Sequence, residues 1–152
     1  SKSVQKGMKV IYLSAAALLL FNFMLNYNFF PQLLKYQGGN EIVKAMKERN
    51  ISIADEDIFL VEPNAHSFDF YSGYNHTLVS PDEIDKKYSL LSKKYFLVNR
   101  GDRDLLSQRG YKIDTVISQP DYNVAKVSLK FLNPSSREKR LDTLMLVRIY
   151  RD

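Results

Sequence analysis

The strongest constraint in this sequence is an uncharged stretch near its N-terminus. No Asp, Glu, Lys or Arg lies between Lys9 and Lys35, and residues 10–30 are its most apolar part. At about 1.5 Å per residue, a helix over these positions is roughly 31 Å long, which matches the hydrocarbon thickness of a bilayer. A soluble core helix would carry polar residues on one face, whereas residues 15–21 are apolar on all sides. We therefore predict a transmembrane helix over residues 10–34.

Two other interpretations of this stretch stay open, a buried helix of a soluble protein and a secretory signal. A signal peptide has a shorter apolar region that ends in small residues at a cleavage site. Here the apolar region runs instead into the aromatic sequence Asn26-Tyr27-Asn28-Phe29-Phe30. Met8-Lys9 resembles a translation start, which keeps the signal interpretation in play.

The charges that flank the stretch predict its orientation. Four lysines are expected next to the membrane, namely Lys2, Lys6, Lys9 and Lys35. Three of them precede the helix, and lysine and arginine are enriched on the cytoplasmic side of a membrane span. We therefore expect residues 1–9 to be a cytoplasmic flank and residues 35–152 to be an extracytoplasmic domain.

Two amides lie one helical turn apart in the predicted span. Asn22 and Asn26 either face other helices, where they can form hydrogen bonds, or lie close enough to the interface to be hydrated. Because the chain starts at Ser1 rather than at a methionine, we expect it to be cut from a longer protein or to be processed. The predicted helix would then be the last one of a bundle.

Charge and cysteine content exclude several classes of protein. The 152 residues carry a net charge of +5, but without the four flanking lysines the balance is 18 basic to 17 acidic side chains. Nucleic-acid-binding proteins concentrate basic residues to neutralise phosphates, so we expect no nucleic-acid partner. The chain has no cysteine, which excludes disulfides, thiolate metal sites and a cysteine nucleophile.

Helix and strand signals alternate after the predicted span. We expect Gly38-Gly39 to interrupt the chain and Asn40 to cap a helix that runs to about Lys47. Strands are expected at residues 58–61, 76–79 and 95–98. Ser80 to Glu83 form a capping box that starts a helix, whose buried face is assigned to Ile84, Tyr88 and Leu91. A third helix is expected to start at Asp102 and to end at Gly110.

The hydrophobic period changes to two in the last third of the chain. Ile113, Thr115 and Ile117 alternate with polar residues, apart from Val116, and a turn is expected at residues 119–121. Residues 125–131 alternate again, and residues 144–150 form a final strand. The sequence therefore predicts an α/β fold, in which a transmembrane helix precedes a small α/β sandwich with a mixed sheet, antiparallel at its C-terminal edge.

Signals for chemistry are sparse. No Gly-rich phosphate loop or nucleophile elbow occurs, and with only His66 and His76 a metal site would need carboxylates supplied by the fold. We expect no catalytic residue, no metal and no cofactor in this chain. The densest polar and aromatic cluster, residues 64–71, directly follows the first predicted strand, a position where open sheets often bind ligands.

This cluster has two interpretations. In the functional one, His66 and Asp69 form an acid-base pair or bind a sugar hydroxyl, and Tyr71 stacks beneath the ring. In the structural one, Ser67 caps a short helix, Phe68 and Tyr71 pack inward, and His66 forms a local hydrogen bond. We favour the structural interpretation, because one histidine and one aspartate are weak evidence for catalysis.

Several strings in the chain carry a family resemblance. They are "FFPQLLKYQGGNEIVKAM", "AHSFDFYSGY", "YFLVNRGDRDLL" and "KFLNPSSREKRLDTLMLVRI". Together with the apolar helix, they resemble the C-terminal end of a bacterial membrane glycosyltransferase. The chain is similar to the branch of the protein O-mannosyltransferase superfamily that includes the aminoarabinose transferase of lipid A.

The resemblance implies an enzyme with many spans in the bacterial inner membrane and a small α/β domain on its periplasmic side. Such an enzyme moves a sugar from a polyprenyl-phosphate donor to a lipid or protein acceptor. Its partners would be the bilayer, the remaining transmembrane helices and the polyprenyl-phosphate sugar. The catalytic acidic residues of the family lie in an early loop that this chain lacks, so the resemblance implies a non-catalytic accessory domain. The alternative is a single-span, membrane-anchored extracytoplasmic binding module. The sugar and the acceptor stay undefined.

Overall fold

The computed structural model describes residues 2–61, 65–87 and 94–151. Asn64, Tyr88 and Leu91, which appear in the predictions above, lie outside the described residues, as do the side chains of residues 2–4 and 125. The chain divides into two compact units, Ser1–Leu34 and Lys35–Asp152.

The first unit is a continuous helix with a local change of pitch. Helix α1 spans Lys2–Met24, a π-helical turn spans Leu25–Phe29, and helix α2 spans Phe30–Leu34. Asn26 Nδ2 donates hydrogen bonds to the carbonyl oxygen of Asn22, at 2.9 Å, and to the Asn22 side chain. The two amides for which we considered helix contacts or hydration therefore form hydrogen bonds with each other, at the start of the π-helical turn.

The second unit is an α/β domain. Its main helices are α3 (Gly38–Glu48), α4 (His66–Ser72), α5 (Pro81–Lys86), α6 (Arg100–Gln108), α7 (Leu129–Leu132) and α8 (Pro134–Arg137). Its strands are β1 (Ile58–Leu60), β2 (Thr77–Leu78), β3 (Tyr95–Asn99), β4 (Lys112–Asp121) and β5 (Asp142–Tyr150). Short 3₁₀ turns lie at Asp55–Asp57, Val124–Lys126 and Glu138–Arg140.

The five strands form one mixed sheet in the order β2-β1-β3-β5-β4. Strand β1 is parallel to both β2 and β3, whereas β5 is antiparallel to both β3 and β4. The prediction of an α/β fold with a mixed sheet that is antiparallel at its C-terminal edge is confirmed.

The sheet separates two hydrophobic cores, because successive side chains of a strand point to opposite faces. In β3, Leu97 belongs to one core, while Phe96 and Val98 belong to the other. The first core includes residues of α3 and α4, such as Ile42 and Phe68, and the second includes residues of α5 and α6, such as Ile84 and Leu106. The domain therefore has three layers, with helices on both faces of the sheet.

The predicted start of α3 is wrong by three residues, because the N-cap is Gln37 rather than Asn40. Gly38 and Gly39 do not interrupt the chain but open the helix, and Gln37 holds the N-cap position without a side-chain hydrogen bond. Asn40 is a buried residue of the first turn. A Cβ atom on Gly39 would lie 2.5 Å from the backbone nitrogen of Phe68, so the close packing of α3 on α4 requires glycine here.

The other helix ends are a mixture of confirmed and wrong predictions. The capping box is confirmed, because the Ser80 side chain accepts from the backbone of Glu83 and the Glu83 side chain accepts from Ser80. Helix α6 starts earlier than predicted, because Asn99 rather than Asp102 is its cap; the Asn99 side chain accepts from Asp102 N at 2.8 Å. Gly110 follows α6 with a φ of +84°, as its predicted role at the helix end requires.

The last third differs most from its prediction. The register of β4 on β5 shifts between Thr115 and Ile117, and this irregularity accounts for Val116 departing from the alternation. The expected turn at residues 119–121 is the end of β4 instead. The predicted strand over residues 125–131 is a 3₁₀ turn followed by α7, because Ser128 caps the helix by accepting from Phe131 N.

Candidate functional site

Helix α4 carries the predicted cluster. It starts at His66 after Ala65, and no side chain caps it, so the prediction that Ser67 is the cap is wrong. Gly73 ends the helix with a φ of +78°. Phe68 is fully buried in the first core, as predicted.

The three side chains predicted to face a ligand have different surroundings. His66 is exposed and forms no hydrogen bond to another described residue, so the predicted local hydrogen bond is absent. Tyr71 is 37% exposed rather than packed inward, and its ring meets that of Phe70 edge-on at 5.1 Å. Asp69 is bonded to His76 and not to His66. That the three face a ligand remains a prediction.

The pairing of Asp69 with His76 is the central polar contact of this region. Asp69 Oδ1 lies 2.7 Å from His76 Nδ1 and also accepts from the backbone nitrogen of His76 at 3.2 Å. Because an ionised carboxylate only accepts hydrogen bonds, Nδ1 carries the proton and Nε2 is left as the free ring nitrogen. The pair fixes the end of α4 to the residue that precedes β2.

The His76 ring is enclosed on all sides. Its side chain is fully buried, and its centre lies 4.9 Å from the ring of Phe68 and 5.0 Å from that of Tyr74. Nε2 has no hydrogen-bond partner among the described residues. The carboxylate oxygen Asp55 Oδ1 lies 3.8 Å from Nε2. An aspartate-oriented imidazole is a common acid-base device, but this one has no exposed atom through which to meet a substrate.

A groove of about 550 Å³ lies beside this pair. Its lining is mixed, with apolar side chains such as Val43, Ile53 and Phe68 and polar ones such as Ser52 and Asp55. Asp55 therefore connects the groove to the buried imidazole. A mostly apolar groove with a few polar groups suits a small amphipathic ligand.

His66 belongs to a second, smaller cavity of about 300 Å³. It shares this cavity with Gln37, with Asp121 at the end of β4 and with residues 122–124, which follow that strand. Gln37 Oε1 is buried without a hydrogen-bond partner among the described residues. Asp121 Oδ1 accepts from Gly38 N at 2.8 Å and so joins the start of α3 to the end of β4.

A separate cluster of charged side chains lies at the second core. It links residues in or next to four elements, α5, α6, β4 and β5. Arg109 Nη1 lies 2.6 Å from Asp85 and 2.7 Å from Asp82, while Asp85 also accepts from Tyr111 at 2.7 Å and from Arg151 at 2.6 Å. The Tyr111 hydrogen bond, followed by that of Arg109, lowers the pKa of Asp85, and the Asp82 hydrogen bond raises the pKa of Arg109. This cluster stabilises the fold.

Sequence reasoning missed the role of His76, which it treated as the start of a strand and, with His66, as a poor candidate for a metal site. The available signal was that His76 follows a glycine-containing turn that brings it back to Asp69, seven residues earlier. Among the described residues, no group of three His, Asp or Glu side chains is placed to hold a metal ion. Comparisons with protein-family models, curated proteins and solved structures give no match for this chain.

Proposed function

We propose that this chain is the membrane-attached, extracytoplasmic accessory domain of a glycosyltransferase that takes its sugar from a polyprenyl phosphate. The observation that carries the membrane part is the helix Gln5–Leu34. It has 30 residues, and its most apolar window of 18 residues has a mean hydropathy of 1.8 and is not buried. Residues 10–34 of this helix carry no charge, and such a long exposed apolar surface is stabilised by an apolar solvent, which a bilayer supplies.

The domain that follows is proposed to assist transfer rather than to perform it. The His76 ring of the pair with Asp69 is fully buried, and α4 and the turn after it present aromatic rings, with Phe70 79% and Tyr74 42% exposed. Exposed aromatic rings are suited to stack on sugar rings or to contact lipid. The resemblance of the sequence strings to a membrane glycosyltransferase supports the same assignment.

The orientation of the helix is tested by labelling single cysteines, since the chain has none of its own. Ser107, exposed on α6, is replaced by cysteine in one variant and Ser3 in another. We expect an impermeant maleimide to label Ser107→Cys in intact spheroplasts and Ser3→Cys only after lysis. The opposite result would show that the domain is cytoplasmic and would refute the proposal.

The glycosyltransferase assignment is tested in the longer protein that we expect to contain this chain. The sequence encoded upstream of Ser1 should hold about ten further apolar spans. Deleting residues 38–152 from that protein should reduce sugar transfer from a labelled polyprenyl-phosphate donor, while the isolated chain should transfer none. Transfer by the isolated chain alone would disprove an accessory role.

The groove of about 550 Å³ favours one alternative, a single-span anchored module that binds a small ligand. A start codon near Ser1, with no further spans encoded upstream, would support this alternative over the glycosyltransferase.

A further inference from the structure

Residues 122–141, here called the β4–β5 segment, differ in charge from the rest of the domain. The segment carries five basic side chains and one acidic side chain. All other positions from residue 36 onward together carry 13 basic and 16 acidic side chains. The positive charge of the domain is therefore concentrated in this one connection between two strands.

The apolar side chains of the segment are divided between the domain and the solvent. Phe131 is 2% exposed, whereas Leu129 is 85% exposed. Leu132, three residues from Leu129 on the same helix, lies on the same side and is 37% exposed. Exposed Lys126 and Lys130 are close in sequence. Exposed leucines among lysines are typical of segments that lie in the interface of a bilayer.

The segment is held to the residues that directly follow the apolar helix. Tyr122 N donates to the carbonyl oxygen of Tyr36 at 2.8 Å, and Arg137 Nη1 donates to the Tyr36 hydroxyl at 3.0 Å. The Phe131 ring stacks on Tyr122 at 3.8 Å and meets Tyr36 edge-on at 5.2 Å. Tyr36 is two residues beyond Leu34, at most about 7.6 Å along the chain. Wherever Leu34 leaves a bilayer, the β4–β5 segment is therefore anchored near that surface.

We infer that the β4–β5 segment is a membrane-surface contact, in which Leu129 enters the headgroup region and Lys126, Lys130, Lys139 and Arg140 bind anionic phospholipid headgroups. The inference rests on the proposed membrane span. Each basic side chain at an anionic surface favours contact by roughly fivefold, so four of them can hold a segment that is already tethered nearby.

The test uses the full chain in lipid vesicles, with a fluorophore that senses polarity on a single cysteine. Leu129→Cys carries the probe, and Leu78→Cys is the matched control, because Leu78 is 54% exposed on β2 at the other edge of the sheet. Vesicles of phosphatidylcholine, with or without phosphatidylglycerol, contain nitroxide lipids that quench a probe in the headgroup region. A second variant replaces the four basic residues by glutamine, and its melting curve shows whether the domain is folded.

We expect the probe at residue 129 to be blue-shifted and quenched in anionic vesicles, and the probe at residue 78 to be neither. Quenching should fall in pure phosphatidylcholine, and each neutralised side chain should lower the ratio of bound to free segment roughly fivefold. Wild-type chain in the two lipid mixtures gives the same comparison even when the glutamine variant does not fold.

Extraction with alkaline carbonate separates this inference from the proposed span. If the chain stays in the membrane but the two probes behave alike, the surface contact is refuted and the span is not. If carbonate releases the chain, both fail. Equal quenching in both lipid mixtures would refute headgroup recognition. A blue shift in detergent that grows with protein concentration would assign the segment to contact between copies of the chain.

Discussion

The pair formed by Asp69 and His76 predicts a specific pattern of stability losses. Replacing Asp69 by alanine removes the acceptor of two hydrogen bonds, one from the His76 ring and one from its backbone. Because the ring is fully buried, its Nδ1–H would find no water, and leaving such a group unsatisfied costs about 1–3 kcal/mol. For the 118 residues of Lys35–Asp152, roughly 4 °C of melting temperature corresponds to 1 kcal/mol. We therefore expect Asp69→Ala to lower the melting temperature by about 4–12 °C.

Two matched variants separate this cause from others. Asp69→Asn keeps an oxygen that can accept both bonds, so its loss should be smaller than that of Asp69→Ala. His66→Ala removes an exposed ring without a described hydrogen bond and should change stability by less than about 0.5 kcal/mol. Thermal unfolding of a fragment of residues 35–152 is a suitable assay, because both hydrophobic cores lie entirely within it.

The same variants, placed in the full-length protein, test whether α4 and the turn to His76 have a role in function. We expect transfer activity to fall only in proportion to the folded fraction. Wild-type melting of Asp69→Ala, or an equal loss in His66→Ala, would refute the structural role of the pair. Normal melting with lost transfer would indicate that α4 and the turn to His76 form a ligand site.

Two further predictions concern the packing of α3 and the charged cluster. Gly39→Ala places a methyl group 2.5 Å from Phe68 N and should cost about 1–3 kcal/mol in urea unfolding. Gly101→Ala meets only the Asn99 side chain, at 3.3 Å, and should cost less; equal losses would contradict the packing argument. The Tyr111 hydrogen bond lowers the pKa of Asp85 from 3.8. The ionised Asp85 side chain therefore stabilises the fold fully above pH 3.8, and this stabilisation is lost as the pH falls through the lowered pKa. The difference in urea midpoint between wild type and Asp85→Asn should therefore vanish in acid, and a difference independent of pH would contradict this.

The parts of the fold that the sequence predicted correctly are those that local signals determine. Residues 58–61 are continuously apolar, because β1 is covered by helices on both faces of the sheet. Ser80, Pro81 and Glu83 supply every component of a helix start, and the structure contains that start. Where a local signal is this strong, tertiary contacts have little influence on the secondary structure.

The wrong predictions arose where two local signals compete. Residues 125–131 alternate like a strand, but Ser128 is a good helix cap, and Asn133 followed by Pro134 starts another helical turn. The described sheet contains no strand that pairs with residues 125–131, so the helix caps determine the secondary structure there. The pairing of Asp69 with His76 was also missed, because the turn between them determines which of the two histidines bonds to the carboxylate.

The position of β5 has a consequence for how the domain is made. Strand β5 lies between β3 and β4, so β4 has no partner and β3 pairs only with β1 until residues 142–150 have been synthesised. At about 5–20 residues per second, the ribosome needs several seconds to pass from the end of β3 to the end of β5. During that interval the apolar strand β3 lacks its antiparallel neighbour and is open to incorrect pairing. A chaperone that holds the emerging chain would act in this interval, and a premature stop codon before β5 would leave an incomplete sheet for proteases to remove.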